Sequence, residues 1–577
     1  MNEEQPILKF EHFGFKYNAQ TSPTLYDINL EVRKGEKILI AGPSGCGKST
    51  LIHCINGLIP FSYKGEMTGS LEIDGKETKD QSLFDISMHV GTVLQDSDAQ
   101  FVGLTVAEDI AFAMENDLVP VDELHRRVSA VASIVDMQDF LTHAPGELSG
   151  GQKQRVSMAG ILVDDVDIML FDEPLANLDP KTGKTAIELI YKMHKETDTA
   201  VIIVEHRLED VLHRNVDRII LMSEGRIVAD MTPDELLSEN LLVRHGIREP
   251  LYVSALKYAN VNITPDMKTS SIDTLALNAE NIHKVQEWFR TVNTKEKKLN
   301  DDIILQVDNI SFEYANGHKA LNDISLKVKR GEMLAIVGTN GAGKSTLSKV
   351  ICGFESETSG KIYFDGTDMG DYSIKERADH IGYVMQNPNQ MISKVMIYDE
   401  IALGLLTRGK SEEEIKSKTE QVLKICGLWK KRKWPISALS FGQKKRVTIA
   451  SILALEPEII ILDEPTAGQD YRHYTEIMEF LKMLNDRGIT VIMVTHDMHL
   501  MLEYADRVLV LSKGRIIADD TGANILTEKE IVKQASLKET SLYDLAIMCD
   551  IPAPREFVRR FIDYENQMNI KKEEINE

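Results

Sequence analysis

The stretch Gly42–Thr50, GPSGCGKST, returns at Gly338–Thr346 as GTNGAGKST, and each copy is followed by the same ordered set of shorter motifs. A loop of the form Gly-x-x-x-x-Gly-Lys-Ser leaves a buried strand for a helix and turns successive backbone amides into a concavity that holds phosphate oxygens. Lys48 or Lys344 adds a point charge, and the hydroxyl of Ser49 or Ser345 is placed to ligate Mg2+. The candidate nucleotide contacts are therefore Gly42, Pro43, Ser44, Gly45, Cys46, Gly47, Lys48, Ser49 and Thr50, and then Gly338, Thr339, Asn340, Gly341, Ala342, Gly343, Lys344, Ser345 and Thr346. One such loop arises by chance; two with matched surroundings do not. The chain reads as a tandem nucleotide-hydrolysing machine.

The duplication extends beyond the loops. Gln95 matches Gln386, Ser149 matches Ser440 and Asp172 matches Asp463, each at a spacing of 291 residues. Leu251, Tyr252 and Ala255 match Leu542, Tyr543 and Ala546 at that same spacing, so each half carries a core and a C-terminal appendage. We expect a first nucleotide-binding domain over residues 1–232, an appendage and linker over 233–302 with a helix near 278–292, a second domain over 303–525 and a last helical appendage over 526–577. The polar, mixed-charge linker suits connection better than a dedicated binding role.

With 577 residues there is room for about four ordinary domains or two large halves, and the repeat favours the halves. A formal net charge of −24 with no long Lys/Arg run argues against coating nucleic acid or anionic lipid. The five cysteines, Cys46, Cys54, Cys352, Cys426 and Cys549, form no metal-ligand spacing, which suits a reducing compartment. The first residues lack a signal-peptide pattern and no apolar run reaches membrane-spanning length, so membrane association is expected only through partners.

Two aliphatic runs end in acids: Ile168–Phe171 before Asp172, and Ile459–Leu462 before Asp463. Such runs suit buried parallel strands, and the expected class is α/β, with the acids at the carboxyl edge of a sheet beside the phosphate loop on a neighbouring strand. Asp172 and Asp463 are candidates for the Mg2+ shell. Glu173 and Glu464, each followed by proline, are candidates to take a proton from attacking water.

Between loop and acids stands Leu148-Ser149-Gly150-Gly151-Gln152, and here the chain resembles the ATP-binding cassette (ABC) ATPases. That resemblance implies two tandem P-loop domains, each with a RecA-like core, a helical subdomain and an appendage, using ATP and Mg2+. It implies a head-to-tail pairing in which Lys48 faces Ser440 and Gly442, and Lys344 faces Ser149 and Gly151, with Gly150, Gln152 and Gln443 completing the signatures. Tyr17 and Tyr314 resemble the adenine-stacking aromatic, although each also fits a strand aromatic in a core. Gln95 and Gln386 resemble the glutamine that senses Mg2+ and water, Asp179 and Asp470 the acid that couples the sites, and His206 and His496 the switch histidine that reads the γ-phosphate.

The second signature departs from the first: Leu439-Ser440-Phe441-Gly442-Gln443 has phenylalanine where the family usually has glycine. We expect Phe441 to restrict backbone torsion or closure, making the two sites unequal while leaving both chemically competent.

The stretch after Gln95, with Gln100, Thr105-Val106 and Asp109-Ile110-Ala111-Phe112, is similar to the ATPases of energy-coupling factor importers. The second half keeps this pattern less well, with Gln390 one place early, Met396 in place of threonine, and Glu400-Ile401-Ala402 retained. The resemblance implies a peripheral subunit at the cytoplasmic face of the cell membrane. Its partners would be a transmembrane scaffold (T) component and a small substrate-binding (S) membrane component for a vitamin, vitamin precursor or metal ion. The alternative is a soluble tandem-cassette ATPase acting on ribosomes. Its linker would be basic, whereas residues 233–302 hold eleven Asp/Glu against nine Lys/Arg.

Overall fold

A computed structural model describes residues 5–94, 100–176, 178–293, 301–467 and 469–576; Gln95 therefore lies outside the described residues. The chain divides into two compact units, Met1–Glu287 with Asp470–Arg472, and Trp288–Gln469 with His473–Glu577.

In the first unit the runs KILIA, IMLFD and AVIIV are almost wholly buried, as strands covered on both faces require. They form the middle of a six-stranded sheet ordered Arg226–Met231, Arg218–Ser223, Lys37–Ala41, Ala200–Val204, Ile168–Asp172, Val90–Val93, in which only the first strand is antiparallel to its neighbour. This corrects one expectation. The strand ending in Asp172 does not neighbour the phosphate-loop strand, because Ala200–Val204, the strand that leads to His206, lies between them. A separate antiparallel sheet, in the order Leu25–Val32, Leu8–Tyr17, Gly65–Ile73 and Lys76–Glu77, shares one apolar core with the larger sheet. Phe10, Phe13 and Phe15 meet Ile38, Ile40, Leu51 and Ile168 in it.

Helices Val106–Asn116, Val121–Ile134 and Gly150–Leu162 pack on one another as a helical subdomain. Thr105 and Ser149 start two of them with reciprocal capping boxes. The appendage contributes Pro233–Ser238, Leu241–Arg244, Leu251–Tyr258 and Ala279–Thr291, the last of which answers the helix expected near 278–292. Tyr252 is buried and its hydroxyl donates to the Thr269 carbonyl at 2.8 Å.

The second unit repeats the plan. Its six-stranded sheet runs Ile381–Val384, Ile459–Asp463, Thr490–Val494, Met333–Gly338, Arg507–Ser512, Arg515–Asp520, again parallel except for the last strand. Helices Ile397–Thr407, Glu412–Ile425 and Phe441–Leu453 form its helical subdomain. Leu542 and Ala546, the repeat partners of Leu251 and Ala255, are buried in helix Ser541–Met548, so the sequence repeat in the appendages is a repeat of helix. The long helix Pro554–Asn576 buries Phe557 and Phe561, and the ring of Trp288 meets Phe557 edge-on at 5.5 Å. Among the described residues no helix is long and apolar enough to cross a membrane.

Candidate active site: two phosphate loops and their acids

Each phosphate loop enters its helix through a glycine at positive φ. Gly47 (φ 107°) precedes Lys48–Ile55, and Gly343 (φ 101°) precedes Lys344–Ile351. Side chains disfavour that backbone, and a Cβ on either glycine would also press on the carbonyl of Thr24 or Ala320. Only glycine lets the amides turn inward. Lys48 is buried and its Nζ donates to the carbonyls of Gly42 (2.7 Å) and Pro43 (3.0 Å); Lys344 does the same to Gly338 (2.8 Å) and Thr339 (2.9 Å). The hydroxyl of Tyr17 is 3.1 Å from Thr50 Oγ1 and that of Tyr314 is 3.0 Å from Thr346 Oγ1, so both tyrosines stand beside their phosphate loops.

The acids arrive at the carboxyl ends of the parallel strands. Asp172 and Asp463 close Ile168–Asp172 and Ile459–Asp463. Burial, helped by neighbouring Glu173, pushes the Asp172 carboxyl up to about 6. Burial also raises Asp463, against hydrogen bonds from the hydroxyls of Ser345 and Tyr383. Glu173 (φ 47°) and Glu464 (φ 44°) both adopt the left-handed region, which costs a non-glycine residue of order 1 kcal/mol. In each half the turn is held by the glutamate's own amide, which donates at 2.9 Å to Val204 or Val494 on the adjacent strand. Burial raises Glu173, opposed by His206.

His206 Nδ1 lies 3.8 Å from Glu173 Oε1, and His496 Nδ1 lies 2.8 Å from Glu464 Oε1. The candidate switch histidine thus hydrogen-bonds the candidate base in the second half and stands near it in the first. Asp179 is buried and caps helix Pro180–Glu196, accepting from the amide (3.0 Å) and hydroxyl (2.9 Å) of Thr182. Asp470 is buried and groups with the first unit, where the Ser44 amide donates to its carboxylate. Ser149 and Ser440 are exposed N-caps of the signature helices Gly150–Leu162 and Phe441–Leu453. The Gln152 side-chain oxygen accepts from the Ser149 amide (2.9 Å), and Gln443 donates its amide to Ser440 Oγ. Gln386 follows strand Ile381–Val384.

Phe441 costs its helix no backbone strain. It is absent from the positive-φ residues, and at its counterpart Gly150 an added Cβ would meet nothing within 4 Å. The expected restriction of torsion is therefore corrected, leaving only a bulky, exposed ring at the head of the signature helix.

Several functional neighbours escaped sequence reasoning. Glu205, 1% exposed, accepts from the amides of Leu175 (3.0 Å), His206 (2.9 Å) and Arg207 (3.2 Å), fixing the turn that carries His206. Its place in the second half is taken by Thr495, whose hydroxyl accepts from the Asp497 amide. Tyr383 donates to Asp463 at 3.1 Å. Lys445 is fully buried, and burial pushes its ammonium down to about 8 against the pull of Asp463 and Glu464. The only signal for these four was their position beside or one repeat away from recognised motifs.

The donor set fits ATP with Mg2+. The loop offers inward amides and a buried ammonium for phosphate, while serine hydroxyl and aspartate suit a hard cation that keeps water and substrate oxygens as its other ligands. Bound Mg2+ neutralises charge on the transferring phosphoryl group. Lys48 and Lys344 would hold phosphate oxygens, and Ser49 with Asp172, and Ser345 with Asp463, would hold the cation. Glu173 and Glu464, next to those aspartates, would accept a proton from water, with His206 and His496 beside them.

Fold and site together define a nucleotide hydrolase of the P-loop class, built twice in one chain. The family described as ABC transporter matches residues 25–176 and 321–467, and a family described as ATP-binding cassette cobalt transporter matches residues 239–312. The chain is 57% identical over 563 residues to a putative ABC transporter ATP-binding protein of Clostridium perfringens, covering 98% of this chain and 99% of that one. Similar proteins of the same description occur in Enterococcus faecalis (54% identity, 98% and 99% covered) and Vibrio vulnificus (52%, 98% of each). The chain belongs to the ABC transporter ATP-binding family and is an ATPase that uses Mg2+.

Proposed function

We propose that this chain is the energy-coupling ATPase of an importer of the energy-coupling factor type, acting at the cytoplasmic face of the cell membrane. ATP binding closes its two cassettes head to tail, and hydrolysis opens them. Each signature then completes the site of the other half, Ser440 and Gly442 with Lys48, Ser149 and Gly151 with Lys344. Its partners are a transmembrane scaffold and a small membrane protein that binds a vitamin, vitamin precursor or metal ion. The cobalt-transporter description matched by residues 239–312 supports a metal ion within that range. The family assignment gives no support to the ribosome-associated alternative.

The observation that carries the importer reading is a pair of exposed aliphatic side chains one repeat apart. Leu104 is 81% and Val395 73% exposed, each just before the first helix of its helical subdomain. Water-facing aliphatic residues placed identically in both halves suit contact with a partner. The acid of the importer pattern has a local role in holding the segment. Asp109 accepts from the amides of Val102 (2.8 Å) and Gly103 (3.0 Å), and Glu400 accepts from Ser393 (2.9 Å) and Lys394 (2.7 Å).

The test is purification of the tagged chain from its own cells in mild detergent, with the co-purifying proteins identified by mass spectrometry. A multispan scaffold with small membrane proteins is expected, and that association should weaken in a Leu104→Glu, Val395→Glu variant that still hydrolyses ATP. Recovery with ribosomal proteins alone would overturn the reading.

A further inference from the structure

The two halves brace the ends of strands Val90–Val93 and Ile381–Val384 in different ways. In the first, the side chain of Gln100 folds back on the strand end, accepting from the Leu94 amide and donating to the Thr92 carbonyl, both at 3.0 Å. One repeat later the residue is Met391, whose sulfur receives the Met385 amide at 3.2 Å and has no donor to return. A thioether is a weak acceptor, so this local staple is largely lost in the second half. A different group takes over there. Lys445, on the signature helix Phe441–Leu453, is 0% exposed and donates to the carbonyls of Met385 (3.0 Å) and Gln386 (2.8 Å). Its counterpart on the first signature helix is Gln154, which donates instead to the carbonyl of Pro174, the proline after Glu173.

We propose that Lys445 is a positioning residue that ties the Gln386 loop to the signature helix of the second cassette, so that the two move as one piece there. A buried ammonium stripped of water is held in place only by the acceptors it finds, and two carbonyls of one loop supply them. Moving either the loop or the helix alone would leave that charge unpaired. In the first cassette Gln100 bonds the strand end, and Gln154 of the signature helix reaches the carbonyl of Pro174. At this repeat position the two signature helices thus bond different segments, Pro174 in one and Met385 with Gln386 in the other, a difference the LSGGQ and LSFGQ sequences do not express.

The purified full-length chain, studied without membrane partners, decides this independently of the importer reading. Amide hydrogen exchange is followed in Lys445→Met, a substitution of similar volume, in Lys445→Arg, and in Lys445→Met combined with Met391→Gln. Each charge-assisted bond is of a size that sets local protection, so Lys445→Met should speed exchange over residues 386–391 by about ten- to a hundredfold, with strands Ile459–Asp463 and Thr490–Val494 unchanged. Met391→Gln should restore protection by rebuilding the first-half staple. In a Glu173→Gln background, where turnover comes from Glu464, Lys445→Met should lower kcat with little change in KM, and Lys445→Arg should recover most of it. Unchanged exchange over 386–391, or loosening spread equally through the core strands, would overturn the proposal. Should Lys445→Met not fold, Lys445→Gln, which installs the first cassette's own side chain, replaces it in the same comparison.

Discussion

His496 Nδ1 lies within hydrogen-bond distance of the Glu464 carboxylate, 2.8 Å, whereas His206 stands 3.8 Å from Glu173. The same pair of residues, delivered by equivalent strands, is engaged in one half and open in the other. Glu205 offers a reason. Its carboxylate accepts the His206 amide and lies 3.9 Å from His206 Nδ1, so the first histidine stands between two acids, while Thr495 takes the place of Glu205 in the second half.

Under the proposed role of Glu173 and Glu464 as bases, Glu173→Gln and Glu464→Gln should each remove about 10²–10⁴ in rate at its own site. The double variant should retain ATP binding with only trace hydrolysis. Single-turnover hydrolysis and nucleotide-binding assays on the same preparations check this, and full activity in either single variant would count against two competent sites.

Phe441 places an exposed ring at the head of the second signature helix, where the backbone accommodates it without strain. Under the proposed head-to-tail pairing Phe441 belongs to the site of Lys48, so Lys344→Ala should lower steady-state ATPase activity more than Lys48→Ala. Phe441→Gly should narrow the gap. Equal losses from the two lysine variants would show that the second signature works as well as the first.

Cys46 lies in the first phosphate loop, while the second has Ala342 there. Its thiol is 4% exposed and burial raises its pKa, with Lys48 opposing, so reaction with a maleimide should be slow at neutral pH and faster in alkali. ATP with Mg2+ should protect it. Cys46→Ala should keep ATPase activity and abolish inactivation by the reagent, which mass mapping of the labelled peptide would confirm.

Asp164 follows the first signature helix, and burial with neighbouring Asp117 and Asp165 pushes its carboxyl up to about 6. The folded chain therefore holds a proton that the unfolded chain releases between about pH 4 and 6, and this group's contribution to stability falls as pH rises through that window. Above it the cost is complete. Asp164→Asn should stabilise the first unit by about 1–2 kcal/mol at pH 7.5 and have little effect near pH 4. Thermal melting at the two pH values reads this directly.

Much of this protein is written locally. Phosphate loops, signature serines and strand-end acids are legible because each is a short segment whose backbone dictates its residues: glycine where φ is positive, a hydroxyl where a helix begins, aliphatics where a strand is buried on both faces. The exposed Leu104 and Val395 were legible only as members of a pattern, since no local rule says which side of a loop meets water.

The sequence by itself determined the duplication, the α/β class, the two phosphate-loop motifs and the substitution at Phe441, because these depend on residue type at fixed spacing. Tertiary structure decided that the strand leading to His206 stands between the phosphate loop and Asp172, that Glu173 and Glu464 take the left-handed backbone, and that Lys445 rather than a glutamine staple holds the second glutamine loop. These depend on which distant segments become neighbours, and sheet order and burial settle that only when the whole core closes.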